Sequence, residues 1–230
     1  MKEQIYTIPL NDHFSKNDGC PLCSLFDMME KNEIERITGA SMMEPDIRVK
    51  TNEEGFCHNH FEMMAKIGKR LPVALILQSH LEEVNKTLTK KNGTDAVKFL
   101  DSLDDSCYVC NRIENNMDSI YKNLFYLYKN DENFARLVKN QDMFCLVHYK
   151  KLLEYGAKNL HKKEYPDFAK TIKEIQIKYM QTLQEDIDWF CKKFDYRFKE
   201  ESWKNSKDSI ERTIYTLTGK KPEENKDISI

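Results

Sequence analysis

The sequence predicts an all-α protein made of two duplicated helical modules, each clamped by a metal site of three cysteines and one histidine. Three observations carry this reading. Only 7 Gly and 6 Pro interrupt 230 residues, too few for a loop-rich or all-β chain. Apolar residues recur at helical spacing, as in Val73, Leu77, Leu81, Val84 and Leu88. Finally, a Cys-x-x-Cys followed 33 or 34 residues later by a Cys-x-x-His occurs twice. The first set is Cys20, Cys23, Cys57 and His60; the second is Cys107, Cys110, Cys145 and His148.

A Cys-x-x-Cys knuckle brings two sulfurs to one point, and a Cys-x-x-His at a helix start does the same with a sulfur and an imidazole. Zinc takes such a set at about 2.0–2.3 Å. One Cys-x-x-Cys alone is equally a redox motif, and free cysteines also simply pack in cores. Two copies at matched spacing favour metal, and the histidine favours zinc over iron, with two ions per chain. Four protein ligands close each site, which is the structural rather than the catalytic arrangement. Of seven cysteines only Cys191 is left over, and it is expected to bind no metal. His58, beside His60, is the weaker candidate for that ligand position, because the second set has no counterpart to it.

Taken in order, residues 1–19 read as an extended N-terminal arm. The first module is then expected over residues 20–103 and the second over 104–219, with a flexible tail at 220–230. Cys20-Pro21-Leu22-Cys23 opens a helix to about Thr38, closed by Gly39. Pro45 and Asp46 suit the first turn of a short helix. Gly55-Phe56-Cys57-His58-Asn59-His60 opens the next, and Leu71-Pro72 starts a long helix to about Lys90. After Lys90-Lys91-Asn92-Gly93 a connecting helix runs to about Leu103. Cys107-Tyr108-Val109-Cys110 begins a helix to about Tyr128. Asn130-Asp131 introduces a short helix, and Met143-Phe144-Cys145 opens another. Tyr165-Pro166-Asp167 starts the longest, reaching about Phe198, and a last one spans about Asn205 to Thr218, closed by Gly219. Phe56 and Phe144, Phe61 and Tyr149, and Gly68 and Gly156 are each 88 positions apart, which points to one unit used twice.

The stretches IYTIPLNDHF, CPLC, GASMMEPDIR, GFCHNHF, LPVALILQSHL, MFCLVHY, WFCKKFDYRF and SWKNSKDSIERTI resemble a bacterial family known as domain of unknown function 6062. The likeness runs from about Ile5 to Gly219. It implies metal binding and a helical fold, and names no reaction. It also marks Met43, Glu44, Asp46 and Arg48, the Lys193-Phe194-Asp195-Tyr196-Arg197 motif, and Trp203, Asn205 and Asp208.

Composition narrows the function. A net charge of −2 gives no basic field for nucleic acid. The longest apolar run, Leu71 to Leu77, is too short to span a bilayer. The first residues carry no signal-type apolar stretch, so the expected location is the cytoplasm, where cysteine pairs stay reduced and bind metal. No catalytic motif is found, and whether the chain is an enzyme stays open. The leading expectation is a zinc-stabilised module that binds a protein partner. A second is an enzyme or small-ligand binder using Glu44, Asp46, Arg48, Asp195 and Arg197, a set that reads equally well as ion pairs between helices. A third is a thiol-redox or metal sensor, which exposed sulfurs would favour. His80 reads as a hydrogen-bonded core residue, Tyr121, Phe125, Tyr126 and Tyr128 as core, and the mixed charges after Asp188 as a solvated face.

Overall fold

A computed structural model of the chain describes residues 6–222. Among the described residues there are eleven α-helices and no strand. The helices are α1 Thr7–Phe14, α2 Pro21–Ile37, α3 Pro45–Glu54, α4 His58–Lys66, α5 Arg70–Lys90, α6 Gly93–Asp104, α7 Tyr108–Asn130, α8 Glu132–Lys139, α9 Leu146–Asn159, α10 Tyr165–Lys192 and α11 Ser209–Thr218. Short 3-10 turns occupy Ala40–Met43 and Tyr196–Phe198. No helix among the described residues is long and apolar enough to cross a membrane.

The chain divides into two compact units, and the division falls elsewhere than the expected 20–103 and 104–219. One unit is Met1–Leu25 with Ser119–Ile230; the other is Phe26–Asp118. Helices α2 and α7 therefore each contribute residues to both units.

The first unit has an aromatic core. The Phe168 ring meets Phe125 and Tyr128 edge-on, each at 5.1 Å between centroids, and Tyr121 stacks on Tyr155 at 4.5 Å. Gly156 lies inside α9, where a β-carbon would sit 3.1 Å from the Phe168 ring and 3.3 Å from Phe125. It permits close helix packing, whereas Gly68, 88 positions earlier, follows α4 with φ +79 and nothing nearby. The two matched glycines thus serve different ends.

Three expectations are corrected in this unit. The arm at 1–19 is not extended over its described part: residues 7–14 are helical, with Leu10 and Phe14 fully buried. Phe14 packs on Phe134 at 5.3 Å, and its carbonyl accepts from Gln141 Nε2 at 2.6 Å. The longest helix stops at Lys192, short of Phe198. There the buried Lys193 ammonium donates to the carbonyls of Phe198, Lys199 and Glu201 at 2.8, 2.7 and 2.5 Å, folding the chain back around itself. Helix α11 begins at Ser209, not Asn205, and ends at Gly219 in a left-handed conformation, as expected. Of the tail at 220–230, residues 223–230 lie outside the described residues.

The second unit packs α3 along α5. Ser79 Oγ donates to Asn52 Oδ1 at 2.9 Å, and His80 Nδ1 sits 3.1 Å from the Asn52 carbonyl. Helices α5 and α6 form an antiparallel hairpin: a β-carbon on Gly55 would lie 3.2 Å from His80 and 3.8 Å from Leu103, placing those residues abreast. Arg36 clasps Glu33 through two bonds, at 3.0 and 2.5 Å, and donates to the Tyr108 hydroxyl at 2.8 Å.

Candidate metal centres

Each of the four Cys motifs opens a helix. Cys20 and Cys107 immediately precede α2 and α7, and Cys57 and Cys145 stand at the N-caps of α4 and α9. The free N–H groups and dipole of a helix start favour a thiolate there. The Cys145 sulfur also accepts from the backbone N–H of His148 at 3.4 Å.

The motifs converge in two clusters, and the partners are exchanged relative to sequence order. Cys20 and Cys23 meet Cys145 and His148; Cys57 and His60 meet Cys107 and Cys110. The expected sets, Cys20/Cys23/Cys57/His60 and Cys107/Cys110/Cys145/His148, are therefore corrected: each Cys-x-x-Cys is completed by the other copy's Cys-x-x-His. The first cluster lies within the unit of residues 1–25 and 119–230, the second within 26–118. Knuckle geometry is local, but which knuckles meet depends on how the helices between them pack.

All ligand atoms of a cluster lie within 4.8 Å of one another. In the first, Nδ1 of His148 is 3.6, 3.2 and 3.1 Å from the sulfurs of Cys20, Cys23 and Cys145, and Cys23 and Cys145 are 3.4 Å apart. In the second, Nδ1 of His60 is 3.1, 3.1 and 3.5 Å from Cys57, Cys107 and Cys110, with Cys57 and Cys110 at 3.9 Å. Ligands at the vertices of a zinc tetrahedron are separated by about 3.5 Å for sulfur to nitrogen and about 3.75 Å for sulfur to sulfur. The donor sets fit a metal ion in both places.

The donors also perturb one another. Burial alone would lower the His60 imidazole, but bonds to Cys107 and Glu30 lift it to about 10. His148, likewise opposed by burial, is raised to about 9 by Cys145 and Cys20. Burial would raise Cys107, yet His60 brings it down to about 6. Cys110 is pushed up to about 12 by burial and by the charge on Cys107. The paired shifts of Cys107 and His60 favour a thiolate beside an imidazolium, the charge a cation would take over.

Three residues that spacing could not reveal complete the sites. Glu30 Oε1 lies 3.0 Å from His60 Nε2, which aims Nδ1 at the sulfurs. The Tyr215 hydroxyl accepts from the Cys20 N–H at 3.2 Å. Gly219, with φ +75, passes so close that a β-carbon would sit 3.2 Å from Cys145 Sγ. The end of α11 thereby roofs the first cluster. Arg212 holds that helix through Asp186 at 2.9 Å and Asp208 at 3.0 Å, which accounts for Asp208. Trp203 packs on Phe190 at 5.6 Å and under the Lys193 ammonium at 5.2 Å. Carboxylates behind metal-bound histidines tune affinity by about 10–100-fold. Glu30→Gln is expected to weaken metal binding at the second cluster on that scale and leave the first unchanged, read by competition with a chromophoric chelator.

The remaining candidates fall elsewhere. Cys191 is exposed and belongs to neither cluster. His58 points outward, 3.7 Å from Glu62. Tyr121 and Phe125 are buried, while Tyr126 is exposed. The set Glu44, Asp46, Arg48, Asp195 and Arg197 is distributed over both units. Glu44 accepts from Ser41 Oγ at 3.3 Å, Asp46 lies in the first turn of α3, and Arg48 reaches the Leu75 carbonyl at 3.5 Å. Asp195 caps the turn at Tyr196–Phe198 and pairs with Arg197 at 2.6 Å.

Residues 1–224 match the model of a family of unknown function, DUF6062, and the chain belongs to that family. No curated protein and no solved structure shows significant similarity to the chain.

Proposed function

We propose that the protein is a cytoplasmic, zinc-stabilised helical scaffold that binds another protein through the α5–α6 hairpin. Three thiolates and one imidazole per cluster support zinc in a closed, structural role. Support for the duplication of the two halves lies in the four helix-opening knuckles. The observation that carries the binding role is the bare apolar face of the hairpin. Helix α6 buries none of its residues and α5 buries only Ile76. Yet Leu81, Val97 and Leu100 are 58%, 54% and 44% exposed.

Helical geometry gathers such residues on one face of each helix. A rotation of about 100° per residue puts Leu77, Leu81 and Leu88 on one face of α5, and Val97 and Leu100 on one face of α6. The α5 positions beside them are Ala74, Gln78 and Asn85, uncharged in a chain that is 32% charged. These two stripes together are the apolar strip offered to a partner. A standard interface between folded partners engages about 20–30 residues a side, far more than this strip offers. It fits instead the apolar face of one amphipathic helix laid between α5 and α6.

The test places a photo-crosslinking residue at position 100, identifies the protein trapped in cells, and measures its purified binding by calorimetry. A Val97→Asp/Leu100→Asp variant is expected to bind at least about 10-fold more weakly, since two apolar anchors are lost, with metal content and helix signal intact. Undiminished binding by the variant would sink the reading. So would light scattering showing that the chain pairs with itself through this face.

A further inference from the structure

The two clusters have the same donors but very different access to solvent. In the first, Cys20, Cys23, Cys145 and His148 are only 1%, 2%, 0% and 8% exposed, beneath Tyr215 and Gly219. In the second, His60 and Cys107 are buried, but Cys57 is half-buried and Cys110 is exposed. The two accessible sulfurs are neighbours, 3.9 Å apart, on the solvent side of the cluster. A soluble oxidant therefore reaches one cage and not the other.

We infer that Cys57 and Cys110 form a peroxide-reactive pair, whose oxidation to a disulfide expels the metal from the second cluster while the first keeps its own. The inference rests on the reading that both clusters hold metal. Cys110, the more exposed of the two sulfurs and a thiolate once it ligates the metal, attacks the peroxide O–O bond. That bond breaks, the sulfur becomes a sulfenic acid, and the leaving hydroxide takes a proton to become water. The Cys57 thiolate then attacks the sulfenic sulfur. The S–S bond forms, the S–O bond breaks, and the departing hydroxide takes a second proton. Two thiolates lose two electrons, and one hydrogen peroxide becomes two waters. Only Cys107 and His60 remain as donors, and two ligands do not retain the divalent ion.

The consequence reaches the hairpin through short steps. Gly55, two residues before Cys57, accepts from the Tyr108 N–H at 3.0 Å, next to Cys107. Gly55 also lies against His80 of α5 and Leu103 of α6. Loss of the second metal thus releases the junction that sets α5 against α6, the face assigned to the partner.

The experiment uses the full chain carrying Cys191→Ala, which removes an exposed thiol outside both clusters. Elemental analysis first fixes the metal content; two ions per chain supports the premise, and none overturns the metal reading itself. Hydrogen peroxide is then added in increments while released metal is followed with a chromophoric indicator and disulfides are mapped by mass spectrometry without reduction. The expected result is one ion per chain released at least about ten times faster than the other, with a Cys57–Cys110 linkage. Parallel release of both ions, earlier release from the Cys20/Cys23/Cys145/His148 cluster, or a Cys107–Cys110 linkage leaving Cys57 reduced would each overturn the proposal. Alkylation of the metal-loaded, folded protein with limiting reagent gives an independent reading of access: Cys110 and Cys57 are expected to label before Cys20, Cys23, Cys145 and Cys107, and the reverse order would overturn it.

Discussion

Replacing Cys23 and Cys145 together by serine is expected to remove one metal ion per chain, whereas replacing Cys23 and Cys57 together is expected to remove both. This result follows from the exchanged partners, since Cys23 and Cys145 lie 3.4 Å apart in one cluster and Cys57 belongs to the other. Pairing in sequence order inverts the outcome: the first double variant would lose both ions and the second only one. The measurement is metal content after dialysis against a competing chelator, which strips a weakened three-ligand site. Proteolysis adds the location. The Cys23/Cys145 variant is expected to open first within residues 1–25 and 119–230, and a Cys107→Ser variant within 26–118. If the two double variants behave alike, the clusters are not the independent sites described.

Removing metal altogether has the largest expected effect on stability. Structural zinc contributes on the order of 10–16 kcal/mol in small peptides, against about 5–15 kcal/mol for the stability of a whole domain. The unit of residues 26–118 has the thinner core. Helix α6 has no buried residue and α5 has one, whereas α10 alone buries Phe168, Ile172, Leu183 and Phe190. We expect a strong chelator to unfold residues 26–118 at room temperature while much of the aromatic core around Phe125 and Phe168 persists. Hydrogen exchange resolved by peptide, together with circular dichroism, is the measurement. A metal-free chain that keeps its helix signal and its Tm would end the structural role of the metals.

Local features were legible in the sequence, and long-range ones were not. The knuckles were readable because two ligands at a fixed short spacing define the geometry of each, and Pro45 and Gly219 fall at helix ends for local conformational reasons. The exchange of partners was not readable. Loop closure scales with the logarithm of length, so closing contacts 47 and 122 residues apart costs only about 1.4 kcal/mol more than closing two of about 34. Helix packing overrides so small a bias. The helix at Thr7–Phe14 was missed because its sequence, TIPLNDHF, has weak propensity and is held by Leu10 and Phe14 in the core. The end of α10 was missed because a helical pattern continues past Lys192, and only the buried Lys193 ammonium shows where it stops. Glu30, Tyr215 and Gly219 lie far in sequence from the ligands they support.

The two cages are nested along the chain, since the 60-to-107 contact is enclosed by the 23-to-145 contact. During synthesis this imposes an order. The ribosome delivers about 5–20 residues per second, so Cys23 waits about 6–24 s for the Cys145 that completes its cage, 122 residues later. The first Cys-x-x-His to emerge is Cys57 and His60, which belongs to the other cage. A nascent chain that captures metal at once therefore holds it between Cys20, Cys23, Cys57 and His60, a set the finished protein does not use. Cys107 and Cys110 must then draw Cys57 and His60 away by ligand exchange before the outer cage can close. Metal delivered early acts as a kinetic trap, and metal delivered after the chain is complete does not.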